Sequence, residues 1–227
     1  MPHRRGMTRT VIFDLDGTLA DTAGDLIAAA NAAVAALGHG PVLCPGADDA
    51  VAFRGGRAML ALAAMRLGED SDDFADRGYD MLLSAYGAAI DVHTRLYPGA
   101  VAAVERLRAD GVAVGICTNK PEALAVQLLD RLGIAALFDG VVGADTLPVR
   151  KPDPAPFREA VARSGGLATR AILVGDTETD RKTAAAAQVP CVLVTFGPDG
   201  DRVARLQPEA LLPHYDALDA ICARLLP

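Results

Sequence analysis

A short apolar run, Thr10-Val11-Ile12-Phe13, ends abruptly in two carboxylates, Asp14 and Asp16, followed by Gly17-Thr18-Leu19. The run reads as a buried strand, and Gly17-Thr18 as the loop at its carboxyl end. Residues two apart in an extended chain project to the same side, so Asp14 and Asp16 face one pocket beyond the strand. Open α/β sheets bind their ligands at that edge. Two like charges this close call for a cation, a shared proton or a substrate to oppose them.

Downstream the pattern changes twice. Leu26, Ile27, Ala30, Val34 and Leu37 recur at helical spacing, closed by Gly38. A short helix over 48–53, a helix over 57–67 stopped by Gly68, and a longer one over 71–90 follow. No strand pattern appears between residues 22 and 92. From residue 93 strands and helices alternate. Strands are predicted over 112–117, 140–143, 171–175 and 191–195. Helices are predicted over 100–109, 122–132, 154–164, 179–187 and 215–226. That alternation predicts a parallel sheet with right-handed crossovers, covered by helices on both faces. The fold class is therefore α/β: a doubly wound, Rossmann-like core with an all-helical cap inserted after the first strand. Residues 8–21 and 93–227 form the core and residues 22–92 the cap, with hinges near 20–22 and 91–96.

At 227 residues with 51% hydrophobic content, the chain can bury a sizeable core, although aromatic residues are only 4% and Trp is absent. A net charge of −7 without any basic block argues against nucleic acid or an anionic membrane surface as partner. No apolar run reaches membrane-spanning length. Cys44, Cys117, Cys191 and Cys222 form no C-x-x-C pair and have no His at ligand spacing, which fits free thiols in a cytoplasmic protein. Met1 to Met7 reads as a tail rather than an export signal.

Each later strand runs into polar residues: Thr118-Asn119-Lys120, Gly175-Asp176-Thr177-Glu178-Thr179-Asp180, and Lys151-Pro152-Asp153-Pro154 before a helix. A parallel sheet brings these ends to one edge. One pocket would then hold Asp14, Asp16, Thr118, Lys151, Asp176 and Asp180. Carboxylates there suit a hard cation such as Mg²⁺. A carboxylate can attack phosphorus, a second carboxylic acid can protonate a leaving alcohol, and a hydroxyl with an ammonium can hold a phosphoryl group.

The order and spacing of these segments resemble the four motifs of the haloacid-dehalogenase-like hydrolase superfamily. The resemblance implies Asp14 as nucleophile and metal ligand, and Asp16 as general acid/base with its backbone carbonyl on the metal. It implies Thr118 and Lys151 as phosphate partners, Asp176 as metal ligand, and Asp180 as a direct or water-mediated one. Asp-Leu-Asp-Gly-Thr-Leu-x-Asp-Thr, Tyr-Pro-Gly, Thr-Asn-Lys-Pro and Lys-Pro-x-Pro are similar to the phosphoglycolate phosphatase group. That implies a Mg²⁺-dependent phosphomonoesterase acting on a small phosphorylated metabolite, 2-phosphoglycolate first, as a monomer or homodimer. Gly17, Thr18 and Asn119 join the expected substrate-binding set, and Lys120 either lines the pocket with them or caps the following loop. Arg54 and Arg57 either pair with a substrate carboxylate or are surface residues at a helix start. Arg181 and Gln188 depart from the group, which usually has an apolar residue and a glycine there. Sugar-phosphate, pyrophosphate or nucleotide phosphatases, a phosphomutase, and a non-catalytic phospho-acceptor module stay open as alternatives.

Overall fold

The computed structural model describes residues 9–226, so the reading of Met1 to Met7 lies outside the described residues. The chain divides into two compact units, one built from residues 9–20 and 96–226, the other from Asp21–Arg95.

The first unit holds a six-stranded sheet. Its strands are β1 (Thr10–Phe13), β4 (Ala113–Cys117), β5 (Gly140–Val142), β6 (Ala171–Gly175), β7 (Cys191–Val194) and β8 (Ala210–Leu212). The spatial order is β5-β4-β1-β6-β7-β8, and the neighbouring strands run parallel. The sheet is therefore doubly wound, and its strand order reverses at β1. Val11 pairs with Val114 on one side and Ile172 on the other, so β1 is central and every residue of it is buried. Alternation assigns its side chains to opposite faces. Ile12, Leu173 and Leu193 share a cluster with Phe157, Ala160 and Val161 of α7 (Pro154–Arg163) and Ala184 of α8 (Glu178–Ala187). Helices α5 (Ala100–Ala109), α6 (Glu122–Arg131) and α9 (Leu218–Leu225) complete the unit. Two two-residue strands, β2 (Ala20–Asp21) and β3 (Arg95–Leu96), form a small sheet of their own where the chain leaves and rejoins this unit.

Three details differ from expectation. The last helix begins at Leu218, because Tyr215–Ala217 is a separate 3₁₀ turn. Gly200–Leu206 is a 3₁₀ segment and Ala210–Leu212 an edge strand, neither of which has a clear periodic signature. The helix expected to reach Ile90 stops at Ala88.

The second unit contains four helices: α1 (Ala23–Ala36), α2 (Asp49–Ala52), α3 (Gly56–Leu67) and α4 (Ser71–Ala88). Ile27, Ala30 and Val34 of α1, Met59, Leu60 and Ala63 of α3, and Phe74, Leu82 and Tyr86 of α4 form its buried interior. Gly78 permits the close approach, since a Cβ there would lie 3.1 Å from Leu60. Asp70 caps α4 by accepting from the backbone N–H groups of Asp72 and Asp73. Gly68 ends α3 in the left-handed conformation that glycine adopts without strain. Buried Asp25 accepts bonds from the His93 and Thr94 N–H groups and the Thr94 hydroxyl, tying the end of the insert to α1.

Candidate active site

The chemistry-bearing residues collect where β1, β4 and β6 end. Asp14 continues the ladder for one residue, its N–H donating to Val174 C=O at 2.8 Å. The chain then turns. Leu15 C=O accepts from Leu19 and Ala20, and Gly17 takes φ +76°. Only glycine enters that region at little cost, so Asp-Gly here is a structural requirement. Thr18 is fully buried, and its hydroxyl donates to Asp176 Oδ1 at 3.1 Å. Its carbonyl accepts from the Tyr215 hydroxyl at 2.7 Å.

At the end of β6, Gly175 has no side chain for a physical reason. A Cβ there would meet Asp180 Cγ at 2.3 Å. The space holds the Asp180 carboxylate beneath the Asp176 backbone. Thr177 and Asp180 form a capping box at the start of α8, with Thr177 Oγ1 donating to Asp180 Oδ2 at 2.7 Å. The other oxygen, Asp180 Oδ1, accepts from Lys151 Nζ at 2.7 Å. Both Asp180 oxygens are thus engaged within the protein. Lys151 reaches Asp14 Oδ2 at 3.0 Å as well, with 1% of its side chain exposed. Its loop is pinned by Asn119 Nδ2, which donates to Lys151 C=O at 3.0 Å, and by Asp153, the N-cap of α7.

At the end of β4, Thr118 is buried and its Oγ1 accepts from the Lys120 N–H at 3.1 Å. Lys120 Nζ lies 2.8 Å from Asp16 Oδ1. Asp16 thus has a lysine ammonium against one of its carboxylate oxygens.

That cluster comprises Asp14, Asp176 and Asp180, each offering a carboxylate oxygen, all within 4.8 Å of one another. Three buried acids cannot all be ionised beside a single ammonium without cost. Burial, with Asp180 and Asp16 adding to it, outweighs the pull of Lys151 and raises Asp14 from 3.8 to about 6. Burial and the charges of Asp180 and Asp14 push Asp176 well above the carboxylate range. Burial alone would lower Lys151, but Asp14 and Asp180 reverse the sign and hold it firmly charged. Asp176 Oδ2 is buried with no hydrogen-bond partner. An oxygen so placed is costly unless something accepts its lone pairs, and a hard cation does that. The donor set therefore fits a divalent metal such as Mg²⁺.

The arginines of the insert lie in the second unit. Arg57 is exposed, pairs with Asp76 at 2.6 Å and covers the Tyr79 ring at 5.0 Å. Arg54 is exposed at the end of α2. Arg181 is tied down: its Nε donates to Leu206 C=O and its guanidinium meets Glu209. Gln188 ends α8 at φ 61°, the left-handed position where glycine would be free of strain.

Sequence reasoning missed Thr177 and Tyr215. The Thr-x-x-Asp spacing of a capping box could have found the first. Nothing local marks Tyr215, whose ring packs tilted against Phe196, itself tilted against Tyr97, and which reaches back 197 residues to Thr18.

Fold and site together define an α/β enzyme-like core with a cation-seeking acidic centre at the strand-order reversal. Residues 11–194 match the haloacid dehalogenase-like hydrolases, and the chain belongs to that family. It is 39% identical over 223 residues to a phosphoglycolate phosphatase of Mesorhizobium japonicum, covering 95% of each chain. It is 36% identical to one of Agrobacterium fabrum, covering 94% of this chain and 92% of that one. The crystal structure of a predicted phosphoglycolate phosphatase from Haemophilus somnus superposes with a TM-score of 0.79 at 26% identity, covering 95% and 98% of the two chains. Among the described residues, no helix is long and apolar enough to cross a membrane.

Proposed function

We propose that the chain is a Mg²⁺-dependent phosphomonoesterase whose substrate is 2-phosphoglycolate, hydrolysed through an aspartyl-phosphate on Asp14. The observation that carries this reading is the Asp14 carboxylate, held 3.0 Å from Lys151 and beside a buried Asp176 oxygen that lacks a partner. The names of the relatives at 36–39% identity support the choice of substrate.

Asp14, Asp176 and the Asp16 carbonyl would hold the metal, with Asp180 joining them directly or through water. When bound, the metal offsets charge on the phosphoryl oxygens and favours the ionised form of Asp14. Asp14 then attacks phosphorus as the bond to the ester oxygen breaks. Asp16 gives that oxygen its proton, and glycolate departs. Asp16, now ionised, takes a proton from a water that attacks phosphorus, which returns the Asp14 carboxylate and frees inorganic phosphate. Lys151 and the Thr118 hydroxyl hold the transferring group throughout. Thr18 serves this scheme by fixing Asp176, and Asn119 by fixing the Lys151 loop.

The division into a core (8–21 and 93–227) and a cap (22–92) is part of the same proposal. Of the two cap arginines, Arg54 is the better candidate for choosing substrate, because Asp76 already occupies Arg57. A cytoplasmic location is also proposed, on the strength of four free cysteines. The experiment is phosphate release from 2-phosphoglycolate, pyrophosphate, sugar phosphates and nucleoside monophosphates, each with Mg²⁺ and with EDTA. Metal-dependent release led by 2-phosphoglycolate supports the reading. Release spread evenly over the panel overturns the substrate but leaves the phosphatase. No release from a folded, Mg²⁺-binding protein overturns both.

A further inference from the structure

Two buried lysines serve this site, and they address different carboxylates. Lys151 bridges Asp14 and Asp180, where the phosphoryl group would sit. Lys120 pairs with Asp16 at 2.8 Å, with 4% of the lysine side chain and 17% of the aspartate side chain exposed. Its position is set by the short loop after β4, through its N–H on Thr118. An ammonium held this deep needs an anion beside it at every stage. Yet while it grips Asp16, it competes for the carboxylate that must meet the leaving oxygen.

The geometry of a small substrate resolves that conflict. In 2-phosphoglycolate one methylene separates the ester oxygen from the carboxylate. If Asp16 addresses the ester oxygen, a cation bonded to Asp16 stands within reach of that carboxylate. We propose that Lys120 is a specificity-determining residue that shifts its ion pair from Asp16 to the substrate's own anion. This rests on the phosphatase reading above and narrows its substrate class to phosphomonoesters bearing an anion one carbon from the ester oxygen. Such a substrate satisfies Lys120 and releases Asp16 for the leaving oxygen in the same event. A neutral arm does neither, so Lys120 stays on Asp16 and turnover is slow even with phosphate bound.

The test compares kcat/KM for 2-phosphoglycolate and ethyl phosphate, in which a methyl replaces the carboxylate. Wild type, Lys120→Gln, Lys120→Met and Lys120→Arg are assayed with Mg²⁺. The readout is the ratio of the two substrates, in which general damage to the site cancels. Wild type favours 2-phosphoglycolate. Lys120→Gln and Lys120→Met lower the ratio roughly 10- to 100-fold, the scale of a charge-assisted hydrogen bond, with kcat falling as well as KM rising. Lys120→Arg keeps the charge and retains part of the preference. Met preserves the packing of the stem, so it reports if Gln fails to fold. Equal slowing of both substrates, with the ratio unchanged, overturns the assignment and makes Lys120 a structural residue. Wild-type hydrolysis of both substrates without preference overturns Lys120 alone. Hydrolysis of neither overturns 2-phosphoglycolate as the substrate, and this inference with it, while the wider panel above decides the phosphatase reading.

Discussion

Replacing Lys151 with methionine removes the ammonium that pairs with Asp14 and Asp180 and keeps the volume of its stem. In the absence of metal, Asp14, Asp176 and Asp180 then lie within 4.8 Å of one another with that cation gone. The cluster responds by taking up one more proton than the wild type holds. Forcing a proton onto a carboxyl with an ordinary value of 3.8 costs about 1.4 kcal/mol for each pH unit above that value. The penalty is therefore about 4 kcal/mol at pH 7 and about 2 kcal/mol at pH 5. The first figure agrees with the ~3–5 kcal/mol typical of breaking a buried ion pair. The wild type carries a related slope of its own. Asp14, raised to about 6, contributes stability that is full below 3.8 and is lost as pH rises through about 6. The assay is urea unfolding of wild type and Lys151→Met in EDTA at pH 5, 6 and 7. The account predicts a stability gap that narrows toward acid by roughly 1.4 kcal/mol per pH unit. A gap of equal size at all three values, or one that widens toward acid, refutes the electrostatic argument.

Three further predictions follow from the same contacts. Asp176→Asn keeps an acceptor for Thr18 but removes a metal-facing charge. It should weaken Mg²⁺ binding roughly 10- to 100-fold by calorimetry without destabilising the protein in EDTA. Metal binding requires carboxylates, and Asp14 is protonated below about 6. Mg²⁺ affinity should therefore fall steeply between pH 7 and pH 5, with proton release measurable on binding. Gln188→Gly relieves a left-handed residue at φ 61° and should stabilise the chain by about 1 kcal/mol in urea.

How much of this was legible in the sequence depended on the range of each interaction. β1, β4 and β6 declared themselves because a strand buried on both faces needs an unbroken apolar run. The carboxylates at their ends were visible because a parallel sheet puts every strand end on one edge. Helix stops at Gly38 and Gly68 were visible because each needs positive φ. What stayed hidden was pairing over distance. Lys120 and Asp16 are 104 residues apart, and no local pattern says that this lysine meets that aspartate. The Thr18 hydroxyl bonds Asp176 158 residues away, which no local pattern announces. Asp180 stands in the acidic cluster as expected, but its bonds to Thr177 and Lys151 could not be read from the sequence. The edge strand Ala210–Leu212 is too short, and too rich in residues that also favour helix, to announce its state.

The most direct test of the central claim asks whether Asp14 is phosphorylated during turnover. Wild type and Asp14→Asn are mixed with 2-phosphoglycolate and Mg²⁺, quenched in acid, reduced with borohydride and mapped by peptide mass spectrometry. The account predicts reduction of an acyl phosphate to homoserine at position 14 alone in the wild type, and neither label nor phosphate release from a folded Asp14→Asn. Sustained phosphate release with no label at position 14, or near-normal turnover by Asp14→Asn, would contradict it.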